Sequence, residues 1–182
     1  MKRKAFLSAI GSTLLVKALA KANFPFAKAL CKTQRDQEGP YYKPNAPERV
    51  LIEKEGSPLL IEGTVLKSAD CKTPVANAIV DIWHCDNKGQ YDNNGFKCRG
   101  IVKTDAAGNY SFTTIFPPSY GNRPRHLHIK IRAEGFDELT TQIYFKNDPH
   151  LKNDFARNAE SARVIDLLNA DNIKKGRFDI YL

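Results

Sequence analysis

Residues 126–133 carry the sequence HLHIKIRA, in which polar and apolar side chains alternate. A period of two places the polar set on one face of an extended strand and the apolar set on the other. Further short runs bounded by turn residues lie at 59–66, 78–84, 100–104, 109–115 and 140–145. Several of them show the same alternation and contain β-branched and aromatic residues, which favour strands. The spacing of these runs predicts an all-β fold, a single β-sandwich domain with long loops between its strands.

The predicted sandwich spans residues 50–182, in a chain whose 182 residues suffice for one domain with a hydrophobic core. An extended segment, 21–49, precedes it, and the part of that segment rich in Pro, Gly and Tyr is typical of a stretch lying across a surface. Near the C-terminus, residues 154–170 have weak helical character and predict a minor helix. Residues 178–182 could supply a final edge strand.

The net charge of +8 does not indicate a nucleic-acid partner. Four of these charges, from Lys2, Arg3, Lys4 and Lys17, fall within residues 1–20, which contain no acidic residue. The remaining basic residues are spread among acidic ones, without a basic block interleaved with aromatics. We therefore expect no nucleic acid among the partners.

The N-terminus has the features of a signal peptide. Residues 2–4 form a basic region, and residues 5–16 form an apolar run that is too short to span a membrane as a mature helix. Small residues favour cleavage after Ala20, or as late as Ala29. The alternative is an amphipathic helix packed on the domain, since Lys17 interrupts the apolar run. The signal peptide predicts an exported protein, periplasmic or secreted, without stable membrane insertion.

Four cysteines, Cys31, Cys71, Cys85 and Cys98, fit an oxidising compartment. Four cysteines allow three complete pairings, and the sequence does not choose among them. A bridge between Cys85 and Cys98 would fix the loop that carries Tyr91, but buried thiols are an equally simple interpretation. No close pair of the Cys-x-x-Cys type occurs, which argues against a zinc or redox site.

Two histidines and two tyrosines form the candidate site. His126 and His128 project from one face of a predicted strand and could bind one metal ion, while Leu127 points into the core. Paired surface histidines are the simpler alternative. Tyr120 lies in a proline-stiffened loop that leads into the histidines, and Tyr91 follows the turn after another strand. An isolated loop tyrosine is usually a half-buried aromatic with a bonded hydroxyl, yet both of these follow strand ends.

Several of these stretches together resemble the intradiol ring-cleavage dioxygenases, the family of catechol and protocatechuate dioxygenases. The matching pieces are EGPYY (38–42), VDIWHCDNKGQY (80–91), TDAAGNYSF (104–112), YGNRPRHLH (120–128) and TTQ (140–142). They cover roughly residues 38–148 in order. TDAAGNYSF is the least specific piece, because similar sequences occur in many β-sandwich domains that bind no ligand. Catechol-type members carry a helical N-terminal region that does not fit between the leader and residue 50, which favours the shorter single-domain, protocatechuate-like or secreted branches.

The resemblance implies an Fe(III) cofactor with Tyr91, Tyr120, His126 and His128 as its ligands. Phenolate is a hard anionic donor that favours ferric iron, and neutral imidazole completes the set. The implied substrates are a catecholic aromatic and O2, the implied product is a muconate-type diacid, and a homo-oligomer is compatible with the family.

Three residues are expected to act on the substrate in this interpretation. Tyr120 would leave the metal and take up a substrate proton, whereas Arg123 and Gln142 would stabilise developing negative charge. His84 is expected to be structural and His150 solvated. Two alternatives remain: a transthyretin-like β-sandwich binding module without turnover, and a copper or zinc protein that uses only the two histidines.

Overall fold

The computed structural model describes residues 31–182 as two five-stranded sheets packed against each other. The signal peptide predicted for residues 1–20, with cleavage as late as 29, lies outside these residues. The strands in chain order are β1 Pro58–Leu66, β2 Ile79–Trp83, β3 Arg99–Lys103, β4 Asn109–Ile115, β5 His126–Arg132, β6 Leu139–Phe145, β7 Val164–Ile165, β8 Leu168–Ala170, β9 Ile173–Arg177 and β10 Ile180–Tyr181. The predicted all-β sandwich is confirmed.

The first sheet has the order β3-β2-β5-β6-β7 and is antiparallel except for the β6–β7 pair. Its register sets Trp83 of β2 opposite His128 of β5 on one side and opposite Arg99 of β3 on the other. In the second sheet β1 pairs antiparallel with β4 and parallel with β9 and β10, and β8 extends the sheet beyond β9.

The core lies between the two sheets and follows the alternation of the sequence. In β1, Leu59, Ile61 and Val65 are fully buried, while Glu62 between them is exposed. In β5 the apolar set, Leu127 and its partners two and four residues on, joins the same core. Each such side chain contributes roughly 1.5–3 kcal/mol when fully buried. The other face of β5, which carries the histidines, is therefore left for the loops and for the N-terminal residues.

Residues 33–42 form an extended arm across that second face of the first sheet. The arm begins beside β10 of the second sheet, where the backbone N–H of Thr33 donates to Tyr181 O (3.1 Å), and it reaches β6 of the first sheet, where that of Asp36 donates to Thr140 O (2.9 Å). Arg163 forms a buried ion pair with Asp36, and Lys130 pairs with Glu38. The arm thus covers the histidine face of β5 from one side.

The base of the arm is covalently attached to the loop between β1 and β2. Cys31 and Cys71 form a disulfide with a Cα–Cα distance of 6.0 Å. Cys85 and Cys98 are buried free thiols, so the bridge considered between them does not form. The loop that carries Tyr91 is held by hydrogen bonds instead.

Residues 154–170 differ from the minor helix expected there. Short 3-10 turns occupy Leu151–Asn153, Phe155–Asn158 and Ser161–Arg163, and the chain then enters β7 and β8. The Asp154 side chain accepts a hydrogen bond from the Ala156 N–H, which starts the second turn but does not extend it. Pairing of Val164–Ile165 with β6 then uses the backbone N–H and C=O groups that a helix would have paired internally.

Within residues 31–182 no helix has the length and apolar character needed to span a membrane.

Candidate metal centre

Strand β5 brings the two predicted histidine ligands together on its arm-covered face. The His126 and His128 rings have centroids 4.9 Å apart, and both side chains are almost completely buried. Their Nε2 atoms approach the Tyr91 hydroxyl oxygen, at 3.4 Å from His126 and 3.2 Å from His128. Three of the four predicted donors therefore converge on one point.

A tight turn after β2 presents Tyr91. The Asp86 carboxylate accepts hydrogen bonds from the backbone N–H groups of Lys88 and Gln90, both at 2.9 Å. Gly89 has φ +73°, a conformation that costs glycine nothing and strains other residues. The turn reverses the chain, so that Tyr91 points back toward β5.

The fourth predicted donor, Tyr120, lies beside Tyr91 in the loop between β4 and β5. Their rings meet edge to face with centroids 5.3 Å apart. The Tyr120 hydroxyl is hydrogen-bonded to the Tyr41 hydroxyl at 2.6 Å. Tyr41 comes from the arm and stacks on Tyr91 at 4.3 Å. Tyr120 is thus adjacent to the three converging donors, with its oxygen bonded to the arm.

Both imidazoles are held in the neutral form that binds metals. Burial lowers the pKa of His126 to about 4 and that of His128 well below its usual value. The His126 Nδ1 is 2.7 Å from Pro124 O, so that Nδ1 carries the proton and Nε2 has a free lone pair. His128 is positioned by stacking on Trp83 at 4.8 Å, and its Nδ1 has no hydrogen-bond partner among the described residues.

The two tyrosines are neutral unless a cation approaches them. Burial raises the pKa of Tyr91, and the hydrogen bond to Tyr41 raises that of Tyr120. A highly charged metal ion would reverse both effects, because it stabilises phenolate directly. Among residues 31–182 no group of three or more His, Cys, Asp or Glu side chains is placed to hold a metal ion, so a four-donor site at the two histidines would need the tyrosines. Two phenol oxygens and two imidazole nitrogens fit ferric iron.

A cavity of about 230 Å³ opens at these donors and is smaller than the roughly 300–1,000 Å³ of sites for drug-sized ligands. Arg123 lines it and is held on the wall by Asp154, with Nε 3.2 Å from the carboxylate. Phe155 covers the guanidinium at 4.2 Å. The cavity therefore has room for a single-ring compound next to a fixed cation.

Gln142 lies in the same wall with its amide largely engaged. Its Nε2 donates to Gln37 O of the arm at 2.7 Å, and its Oε1 accepts from Tyr144 at 2.9 Å and from Arg123 at 3.3 Å. The structure thus places Gln142 where it joins the arm to Arg123. His84 is structural, as expected, with Nε2 2.7 Å from Thr114 Oγ1.

A family model described as Dioxygenase matches residues 37–182, which include the second half of the arm, both sheets and all four candidate ligands. The chain belongs to the intradiol ring-cleavage dioxygenase family. The alternatives, a transthyretin-like binding module and a protein that uses only the two histidines, are not favoured.

Relatives within the intradiol family cover most of this chain. The catechol 1,2-dioxygenase of Acinetobacter baylyi is 34% identical over an alignment of 166 positions that covers 74% of this chain and 53% of the relative. The hydroxyquinol 1,2-dioxygenase of a Rhizobium species is 26% identical over an alignment of 168 positions that covers 76% of this chain and 56% of the relative. The chain spans about half the length of the curated relatives it matches.

A solved structure similar to this intradiol chain is the dioxygenase domain of a dioxygenase and carbohydrate-binding protein fusion from Streptomyces sp. SirexAA-E. The TM-score is 0.77 at 36% identity, covering 83% of this chain and 97% of that chain. The likeness thus extends over nearly the whole of that single domain.

Sequence reasoning on the intradiol motifs missed three residues at the site. Tyr41 was part of a matched stretch, but no role was assigned to it, although an aromatic residue after Gly39-Pro40 is the signal that could have indicated one. Asp154 and Trp83 position Arg123 and His128, respectively. Their roles depend on contacts between distant parts of the chain, for which the sequence carries no local pattern.

Proposed function

We propose that this chain is an Fe(III)-dependent dioxygenase that opens a catecholic ring between its two hydroxyl-bearing carbons, using O2 and giving a muconate-type diacid. The observation that carries the proposal is the convergence of Tyr91, His126 and His128 beside Tyr120 in a pocket sized for one ring. Family relatives named for catechol, chlorocatechol and hydroxyquinol support this class of substrate.

Tyr91, Tyr120, His126 and His128 would hold the iron. When bound, ferric iron supplies the Lewis acidity that favours the catechol dianion and draws electron density from its ring. The protein contributes neutral imidazoles and a rigid Tyr91, which remain in place while the substrate enters.

Tyr120 is the donor suited to leave when the substrate binds. It belongs to a loop rather than a strand, and its Oη already has a hydrogen-bond partner, Tyr41 Oη, 2.6 Å away. With iron bound, Tyr120 would provide a phenolate oxygen that takes one of the two catechol protons while the second passes to solvent, after which the neutral phenol of Tyr120 remains bonded to Tyr41. Substrate binding and deprotonation are thus coupled at one atom.

Arg123 supplies a fixed positive charge at the pocket wall. Asp154, Gln142 and Tyr144 orient its guanidinium before the substrate arrives, so no reorganisation is needed during the reaction. Negative charge that develops on the ring and its oxygens is stabilised there.

The metal set is tested by the colour and iron content of the purified protein. Charge transfer from tyrosinate to Fe(III) should make the parent protein red-brown. Tyr91→Phe should lose or strongly shift this band, His126→Ala should lose most of the iron, and the matched control His150→Ala should resemble the parent. A colourless, iron-free parent after reconstitution with iron would refute the proposal.

We further propose that the chain is exported. The Cys31–Cys71 disulfide supports this, because such bridges form and persist in oxidising compartments. Protein made in its native cell should begin near residue 21 or 30 by N-terminal sequencing. An intact Met1 in a cytosolic fraction would contradict export.

A further inference from the structure

Arg99 is a buried cation without a carboxylate partner. It begins β3, opposite Trp83 of β2, and its side chain is 1% exposed. No carboxylate of residues 31–182 lies within ion-pair distance of its guanidinium. A buried charge of this kind is costly, and an apolar residue of similar volume would serve packing better.

The guanidinium contacts the chain immediately after Tyr91. Its Nε and Nη2 both donate to the Asp92 carbonyl oxygen, at 3.2 Å and 2.9 Å. Its Nη1 is buried with no hydrogen-bond partner among the described residues. Two of its three nitrogens are therefore used to hold one peptide group, the one that links Asp92 to the following residue.

The loop held in this way is internally rigid. The Asp92 carboxylate accepts hydrogen bonds from the backbone N–H groups of Asn94, Gly95 and Lys97, at 3.0, 2.7 and 2.9 Å. These bonds tie residues 92–97 together, and Arg99 holds the end of this loop that adjoins Tyr91.

We propose that Arg99 is a positioning residue for Tyr91: it fixes the Asp92 peptide so that the Tyr91 oxygen stays opposite the Nε2 atoms of His126 and His128. The inference rests on the proposed function, since it assigns Arg99 a role toward the proposed iron ligand.

Another arginine offers a matched control on the same loop. Arg49 is half-buried and bonds the Arg99 and Phe96 carbonyl oxygens through its Nε and Nη2. It therefore holds the far end of the loop, away from Tyr91. Arg49→Met removes a guanidinium of the same size without releasing the Asp92 carbonyl.

The test compares Arg99→Met with Arg49→Met and the parent, both metal-free and loaded with iron. Arg99→Met should fold, since an apolar side chain replaces an unpaired buried charge. In the metal-free form, hydrogen exchange should accelerate at residues 92–97 near Tyr91. In the loaded form, iron affinity should fall about 10- to 100-fold, the range for partners that orient metal ligands, and the charge-transfer band should shift. Arg49→Met should keep the parent band.

Parent-like exchange, iron affinity and band in Arg99→Met would overturn the positioning role. If that variant does not fold, Arg99→Lys is used instead, because it keeps a cation and a group that can donate to the Asp92 carbonyl oxygen. The charge-transfer band of Arg99→Lys should shift in the direction predicted for Arg99→Met but by a smaller amount. An iron affinity and a band like those of the parent would overturn the inference. A parent that binds no iron would refute the proposed function, whereas exchange at residues 92–97 would still report on the Arg99 anchor.

Discussion

Breaking the Cys31–Cys71 disulfide should destabilise the domain and loosen the arm that lines the pocket. The bridge closes a loop of sequence separation 40, which restricts the unfolded chain by an amount worth about 4 kcal/mol at 25 °C. At roughly 2–4 °C per kcal/mol for a domain of this size, the Tm should fall by about 8–16 °C. The Cys31→Ser, Cys71→Ser and double variants should agree, since each removes the same bridge.

Urea unfolding and thermal scans measure this loss, and thiol titration in denaturant checks the bridge itself. Of the four cysteines, two are paired, so two thiols should react before reduction and four afterwards. Because arm residues such as Pro40 and Tyr41 line the pocket, KM for a catechol should rise while the iron content stays near that of the parent. Four thiols that react in denaturant before reduction, or additive losses in the single variants, would refute this reasoning.

Other predictions concern pH and the pocket residues. Burial lowers the pKa values of His84 and His126 to about 4, below the value of 6.5 in the unfolded chain. The free energy of unfolding of the metal-free protein should therefore fall by up to about 3 kcal/mol per histidine as the pH drops from 6.5 to 4. A free energy of unfolding that is constant from about pH 7 to about pH 4.5 would contradict this prediction. Arg123→Met should lower kcat/KM about 100- to 1,000-fold without loss of iron, and unchanged kinetics would remove Arg123 from the pocket chemistry. Tyr120→Phe should retain some iron but slow catecholate binding in stopped-flow experiments, and parent-like rates would exclude it as the departing base.

The six runs predicted from the sequence correspond to β1–β6 because local alternation and turn residues define those strands. Residues 109–115, for example, match β4 from end to end. Strands β7 to β9 were missed because their sequences are polar or short. Ile173–Arg177, rich in Lys and Arg, pairs with its sequence neighbour β8 and also with β1, a parallel partner more than 100 residues away.

The candidate site was predictable to the extent that its donors lie on short local motifs. His126 and His128 share one strand face, and the turn at Gly89 presents Tyr91. The residues that orient these donors were not predictable, since Tyr41, Trp83 and Arg99 act through tertiary contacts. The composition around Tyr41 indicates a segment lying across a surface, but it does not show that Tyr41 stacks on Tyr91.

The most direct test of the account is the position at which the ring is cut. The iron-loaded protein should be incubated with catechol, protocatechuate and hydroxyquinol in air, and the products identified by mass and absorbance. Ferrous oxygenases bind their iron with two histidines and one carboxylate, whereas two tyrosine ligands favour ferric iron. Oxygen should therefore insert between the two hydroxyl-bearing carbons and give a muconate-type diacid. A yellow semialdehyde from cleavage beside the diol would contradict both the oxidation state and the ligand set proposed here.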